Sequence, residues 1–168
     1  MSLYMEEEGN LTLPEEINVK NTAELVVEAA LDYIGCPYEA EVNLLLTTDE
    51  EIQEMNKMHR KVDKSTDVLS FPMLEYEIPG NFEIFEEQAE DAFNPESGEL
   101  MLGDIVISKN KVIAQAESYG HSQKREFAFL IAHSMLHLFG FDHIEEDERI
   151  VMEQKQREIM EKVQILRE

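Results

Sequence analysis

The feature that most limits what this chain can fold into is the stretch from Ser122 to His143. Ser122 is a good helix N-cap, and the residues after it carry a helix that runs to Phe139. Phe127 to Ala132 is apolar on every side, so this helix belongs at the centre of the molecule. His133 and His137 ride on it. Four residues apart, they differ in direction by only about 40° and face the same side. Gly140 can adopt positive φ and end the helix, and Phe141 and Asp142 then lead back to His143. Three imidazoles converge on one point.

A lone buried histidine is usually a satisfied core residue, but three at this spacing around a helix-ending glycine point to a metal ion. Imidazole nitrogens suit zinc at about 2.0–2.1 Å, so one zinc ion per chain is expected on His133, His137 and His143. Three protein ligands leave a fourth tetrahedral position for water or substrate, the arrangement of a catalytic site. The spacing is shared with the metzincin proteases, which place Glu directly after the first histidine as general base. Here Ser134 stands there, and its hydroxyl cannot accept a proton near neutral pH. The metal cradle is present without the protease base.

The remaining elements point to an α+β fold: a small mixed sheet of about four strands packed with helices, the metal site on a central helix and its following turn. Glu41 to Thr47, Val68 to Met73 and Leu102 to Ser108 read as strands, with Ile17 to Asn21 as the fourth. Asn21 to Ile34 reads as a helix with a stripe of Leu25, Val26, Ala29, Ala30 and Tyr33, stopped by Gly35. Thr48 and Glu51 form a capping-box pair opening a helix to about Arg60. Another helix runs from Ser108 to about Tyr119. The last spans Glu145 to Glu168, with Ile150, Val151, Ile159, Val163 and Ile165 available for packing. Glu75 to Glu99, with nine acidic residues and no Lys or Arg, reads as a partly mobile acidic loop.

The 168 residues are expected to form a single domain, 1–168, which needs no disulfide or structural metal to fold. A metal site in it can therefore be functional. The single cysteine, Cys36, has no activating partner nearby and fits a reducing compartment. No segment approaches the roughly 18 apolar residues that cross a bilayer. Met1 to Asn10, with Glu6, Glu7 and Glu8, has the wrong charge for a signal peptide. Met1 to Leu3 read as an expression remnant ahead of Met5. A cytoplasmic protein without membrane contact is expected.

His133-Ser-Met-Leu-His-Leu-Phe-Gly-Phe-Asp-His143 resembles the signature of the bacterial YbeY endoribonuclease family of rRNA maturation factors. Three further blocks agree, in order: Asn56 through Arg60 to Pro72, Leu102 to Ser108, and Arg125 to Leu130. The resemblance implies an α+β fold and a zinc-like metal in a cleft. It implies cleavage of single-stranded RNA in small-subunit rRNA 3′-end maturation and ribosome quality control. Single-stranded rRNA, the small ribosomal subunit and its assembly factors would be partners. Carried across by position, the three histidines become the ligands and Arg60 the functionally important arginine. Ser134 and Phe141 depart from the family's usual Gly and Tyr; a serine beside a ligand would crowd the site or orient water.

The net charge of −23 opposes this reading, because an acidic surface repels polyanions. The acidic loop supplies over a third of that charge. Lys57, Arg60, Lys61 and Lys64 fall within eight residues, the one concentration of positive charge, with His59 among them. The lysines fit a solvated helix end as well as a phosphate. Arg60 is better suited, since its planar fork can bind two phosphate oxygens. Asp67, Asp104 and Asp142 are candidates for orienting histidine N–H groups or Thr66. His59 and His121 are expected at the surface, and no general base is apparent. The competing readings are a metal hydrolase of protease type and a non-catalytic ribosome-assembly factor braced by its metal. The second would fill the fourth position with a protein side chain, for which Asp142 is the one candidate.

Overall fold

Among the described residues, 1–87 and 89–164 of a computed structural model, four strands form one mixed sheet. They are β1 (Ser2–Glu7), β2 (Ala40–Thr47), β3 (Val68–Pro72) and β4 (Leu100–Ser108), in the order β1-β2-β4-β3. β1, β2 and β4 are parallel, and β3 forms an edge antiparallel to β4. The helices are α1 (Val19–Ile34), α2 (Asp49–Arg60), the short α3 (Ile84–Glu87) and α4 (Ala89–Ala92), α5 (Lys109–Tyr119), α6 (Gln123–Leu138) and α7 (Glu146–Val163). The α+β class expected from the sequence is the one observed.

The two faces of the sheet are unequal because strand side chains alternate. Val42, Leu44, Leu46, Ile105 and Ile107 join α1, α6 and α7 in the main core. Leu45, Leu69, Phe71 and Val106 face the other way, covered in part by Ile52 and Met55 of α2. α6 lies deepest, against β3 and β4 on one side and α1 and α7 on the other. Phe127, Ala128, Leu130, Ile131 and Ala132 are buried along it; only Phe129 of that run reaches the surface. The apolar run of α6 therefore fixes His133 and His137 to a buried part of the fold.

Several expectations are corrected. The fourth strand is not Ile17 to Asn21: Glu15–Ile17 is a 3-10 turn, and α1 begins at Val19. It is Ser2–Glu7, in which Ser2 and Leu3 pair with Glu41 and Val42 of β2. Leu3 and Met5 face the core while Tyr4 stays exposed, a period of two too short to stand out among glutamates. The Thr48 side chain makes no cap bond; the Asp49 N–H donates instead to Asn110 Oδ1 of α5 at 2.9 Å. A capping box does form, at Glu145 and Glu148 of α7. Leu25, Ile150 and Val151 are exposed. The buried stripe of α7 is Met152, Gln156, Ile159, Met160 and Val163, and Ile165 lies outside the described residues. Glu75 to Glu99 is not a loose loop, for Phe82, Phe85 and Ala92 are buried in the core.

Candidate metal centre

The centre is assembled by α6, the turn after it, and the acidic segment packed beneath that turn. Ser122 caps α6, its Oγ accepting from the Arg125 N–H at 3.0 Å. At the other end Gly140 has φ of 95°, and a Cβ there would stand 2.8 Å from the Tyr76 ring. Tyr76 packs edge-on against Phe85 and Phe82, which packs on Phe139, and the Gly80 N–H donates to the Phe139 carbonyl at 2.8 Å. The turn presenting His143 is thus held from below. The ligand-competent nitrogens of His133, His137 and His143 lie within 4.8 Å of one another.

The hydrogen bonds decide which nitrogens face the centre. His137 Nδ1 lies 3.0 Å from the Phe141 carbonyl, which can only accept, so Nδ1 carries the proton. Gln156 is buried on α7, and its amide donates to the Phe129 carbonyl at 3.4 Å. Its Oε1 therefore faces His133 Nδ1, also at 3.4 Å, and accepts from it. Both Nε2 atoms are left with lone pairs. They face each other across 3.2 Å, an unfavourable contact unless a cation lies between. Two nitrogens at 2.0–2.1 Å from one tetrahedral zinc are about 3.3 Å apart. The donor set fits such an ion.

Burial, reinforced by the neighbouring His133 and His143, brings the His137 imidazole down to about 4. Burial also lowers His133. Both rings stay neutral at physiological pH, as metal ligation requires. The centre opens on a cleft of about 520 Å³ whose walls include Arg60, Thr66, Asp67 and Asp142. Arg60 is the last residue of α2 and comes from 73 positions before His133. Lys57, Lys61 and Lys64 are exposed.

The three aspartates separate. Asp67 lies in the cleft wall, with Oδ1 accepting from the Val68 N–H at 2.7 Å and from Thr66 Oγ1 at 3.4 Å. Asp142 Oδ1 accepts from the His143 N–H at 2.8 Å and holds the turn. Asp104 does not belong to the site: it accepts from Asn43 on the opposite face of the sheet. Ser134 neither crowds the centre nor orients water there, being fully buried with its hydroxyl 2.6 Å from Ser70 Oγ of β3. His59 is exposed against Phe71, but His121 is not at the surface. His121 Nε2 sits 2.6 Å from Glu126 Oε1, whose carboxylate is buried and also accepts from Gln115 at 2.8 Å. The Cys36 thiol is pushed up by burial, away from reactive thiolate. Sequence reasoning missed Gln156; its place on the buried stripe of α7 was the available signal.

Fold and site together define an α+β protein with a three-histidine group that could hold a metal ion in an open cleft. The family model described as Endoribonuclease YbeY matches residues 4–164. A relative named Endoribonuclease YbeY in Lachnoclostridium phytofermentans is 54% identical, over 99% of this chain and 100% of its own. Another so named, in Agathobacter rectalis, is also 54% identical with the same coverage. The solution structure of TM1509 from Thermotoga maritima is similar at a TM-score of 0.60 and 25% identity, covering 96% of this chain and 88% of that one. This chain belongs to the YbeY endoribonuclease family. No described helix is long and apolar enough to cross a membrane.

Proposed function

We propose that the chain, acting as one domain over 1–168, is a zinc-dependent endoribonuclease that cuts single-stranded RNA. Its place is small-subunit rRNA 3′-end maturation and ribosome quality control in the cytoplasm, with the small subunit and its assembly factors as partners. The observation that carries this reading is the convergence of three imidazoles and one arginine on a single cleft in a member of this family.

His133, His137 and His143 would hold the ion, and when bound it supplies Lewis acidity toward water and a phosphate oxygen. Arg60 is the catalytic residue: its guanidinium pairs with the phosphate oxygens and stabilises the charge that builds on them. Gln156 and the Phe141 carbonyl keep Nδ1 protonated on two ligands, so Nε2 stays available. The Ser134 hydroxyl, committed to Ser70, leaves no protease-type base beside His133. An acidic exterior around this cleft gives modest intrinsic affinity for RNA, made up by the ribosome.

The test is elemental analysis beside cleavage of single-stranded rRNA fragments. Wild type should carry near one zinc per chain and cut. His137→Ala should lose both. Arg60→Ala should keep its zinc and lose about 10²–10³-fold in kcat/KM, the scale of removing one transition-state donor. Zinc lost from Arg60→Ala would remove the arginine from the catalytic role. Metal without cleavage in wild type would shift weight to a non-catalytic assembly factor.

A further inference from the structure

β3 is an edge strand, and its free side belongs to the metal cleft: Val68, Ser70 and Pro72 line it with Arg60 and the three histidines. The ladder shows which backbone groups point there. The Ser108 N–H donates to the Asp67 carbonyl at 2.9 Å, and the Met73 N–H to the Leu102 carbonyl at 3.0 Å. Antiparallel pairing alternates, so with Leu69 opposite Val106 and Phe71 opposite Asp104, the residues at 67, 69, 71 and 73 bond to β4. Val68, Ser70 and Pro72 direct their backbone groups away from β4. The Val68 N–H is taken by Asp67 Oδ1, and Pro72 has none. One donor remains on this edge, the Ser70 N–H, among three carbonyl acceptors.

From this, and resting on the ribonuclease reading, we propose that the edge of β3 grips the sugar–phosphate backbone of the RNA beside the metal. The Ser70 N–H donates to a phosphate oxygen. The flanking carbonyls of Val68 and Ser70 accept from ribose 2′-hydroxyls, which DNA lacks. The pattern suits a strand that alternates acceptor phosphates with donor hydroxyls, and it reads no bases. Side chains leave the edge unobstructed: Ser70 turns inward to Ser134, while Leu69 and Phe71 turn to the outer face.

Ser70→Pro removes the N–H, and edge strands tolerate proline where the N–H faces away from the ladder. It also strips a partner from Ser134, so the clean comparison is S70P/S134A against S70A/S134A, where both hydroxyls are gone in each. The S70P/S134A protein should cut single-stranded RNA about 10–100-fold less efficiently than S70A/S134A, the worth of a hydrogen bond to a charged group, with zinc retained. Equal cleavage by the two overturns the assignment while leaving the ribonuclease reading intact. A wild type that leaves RNA uncut overturns both. Should S70P/S134A not fold, amide resonances of zinc-loaded wild type titrated with single-stranded DNA decide. The Ser70 N–H should move downfield; its staying fixed while Arg60 and Thr66 move would overturn the assignment.

Discussion

His121, just before α6, and His137, near the end of α6, are both withdrawn from water, yet their surroundings are opposed. His121 Nε2 meets the Glu126 carboxylate at 2.6 Å. His137 Nε2 meets another imidazole nitrogen at 3.2 Å, and its neighbours within the cluster are histidines. The first pair is complete as it stands. The second leaves lone pairs facing one another and is completed only by a cation. Burial alone does not separate a structural histidine from a ligand; the sign of the group opposite its nitrogen does.

The largest effect that tests this contrast is Glu126→Ala. Glu126 joins His121 to Gln115, whose amide also reaches Asp67 at 3.3 Å in the cleft wall. Its removal takes a hydrogen-bond partner from both His121 and Gln115, at about 1–3 kcal/mol for each group left unsatisfied. Urea unfolding should show that loss, while zinc binding at saturating metal stays near one per chain. A variant of unchanged stability that had lost its zinc would reverse the roles assigned to the two histidines.

A smaller effect is read by pH on metal-stripped protein. The His137 pKa is about 4 in the fold, against about 6.5 when unfolded. Between those values the unfolded chain binds more protons, so stability rises with pH across the window and is lost as pH falls through it. The full contribution is about 3 kcal/mol. Unfolding free energies measured from pH 7 to pH 4.5 should fall more steeply for wild type than for His137→Ala. Parallel curves would mean that His137 is as easily charged folded as unfolded.

What the sequence disclosed follows the same division between local and remote. The convergence of His133, His137 and His143 was legible because helix periodicity and one glycine determine their directions within eleven residues. The α+β class was legible because strands and helices each carry their own period. Arg60 could be tied to the site only through the family resemblance, because no local rule relates α2 to α6. Asp104 was misassigned because one step along β4 carries a side chain to the opposite face, and nothing near it shows which face holds the metal. The Thr48 cap did not form, and the first N–H of α2, that of Asp49, goes to a partner no local rule could show, Asn110 of α5. Glu75 to Glu99 looked loose from its charge, but its aromatic residues, not its carboxylates, set its position.

The finest test changes what stands behind a ligand rather than the ligand itself. Gln156→Leu deletes the acceptor for His133 Nδ1 and so frees the ring to move its proton to the nitrogen that should face the ion. Zinc affinity, measured against a chelating indicator, should fall about 10–100-fold, the usual range for losing such a partner. Gln156→Glu keeps an acceptor there and gives His133 a carboxylate behind it, as His121 has one in front. Because that charge sits on the far side of the ring, Nε2 remains open and affinity should equal or exceed wild type. If Gln156→Glu weakens zinc as much as Gln156→Leu does, the amide's donation to the Phe129 carbonyl, and not acceptor character toward His133, is what holds the ring in place.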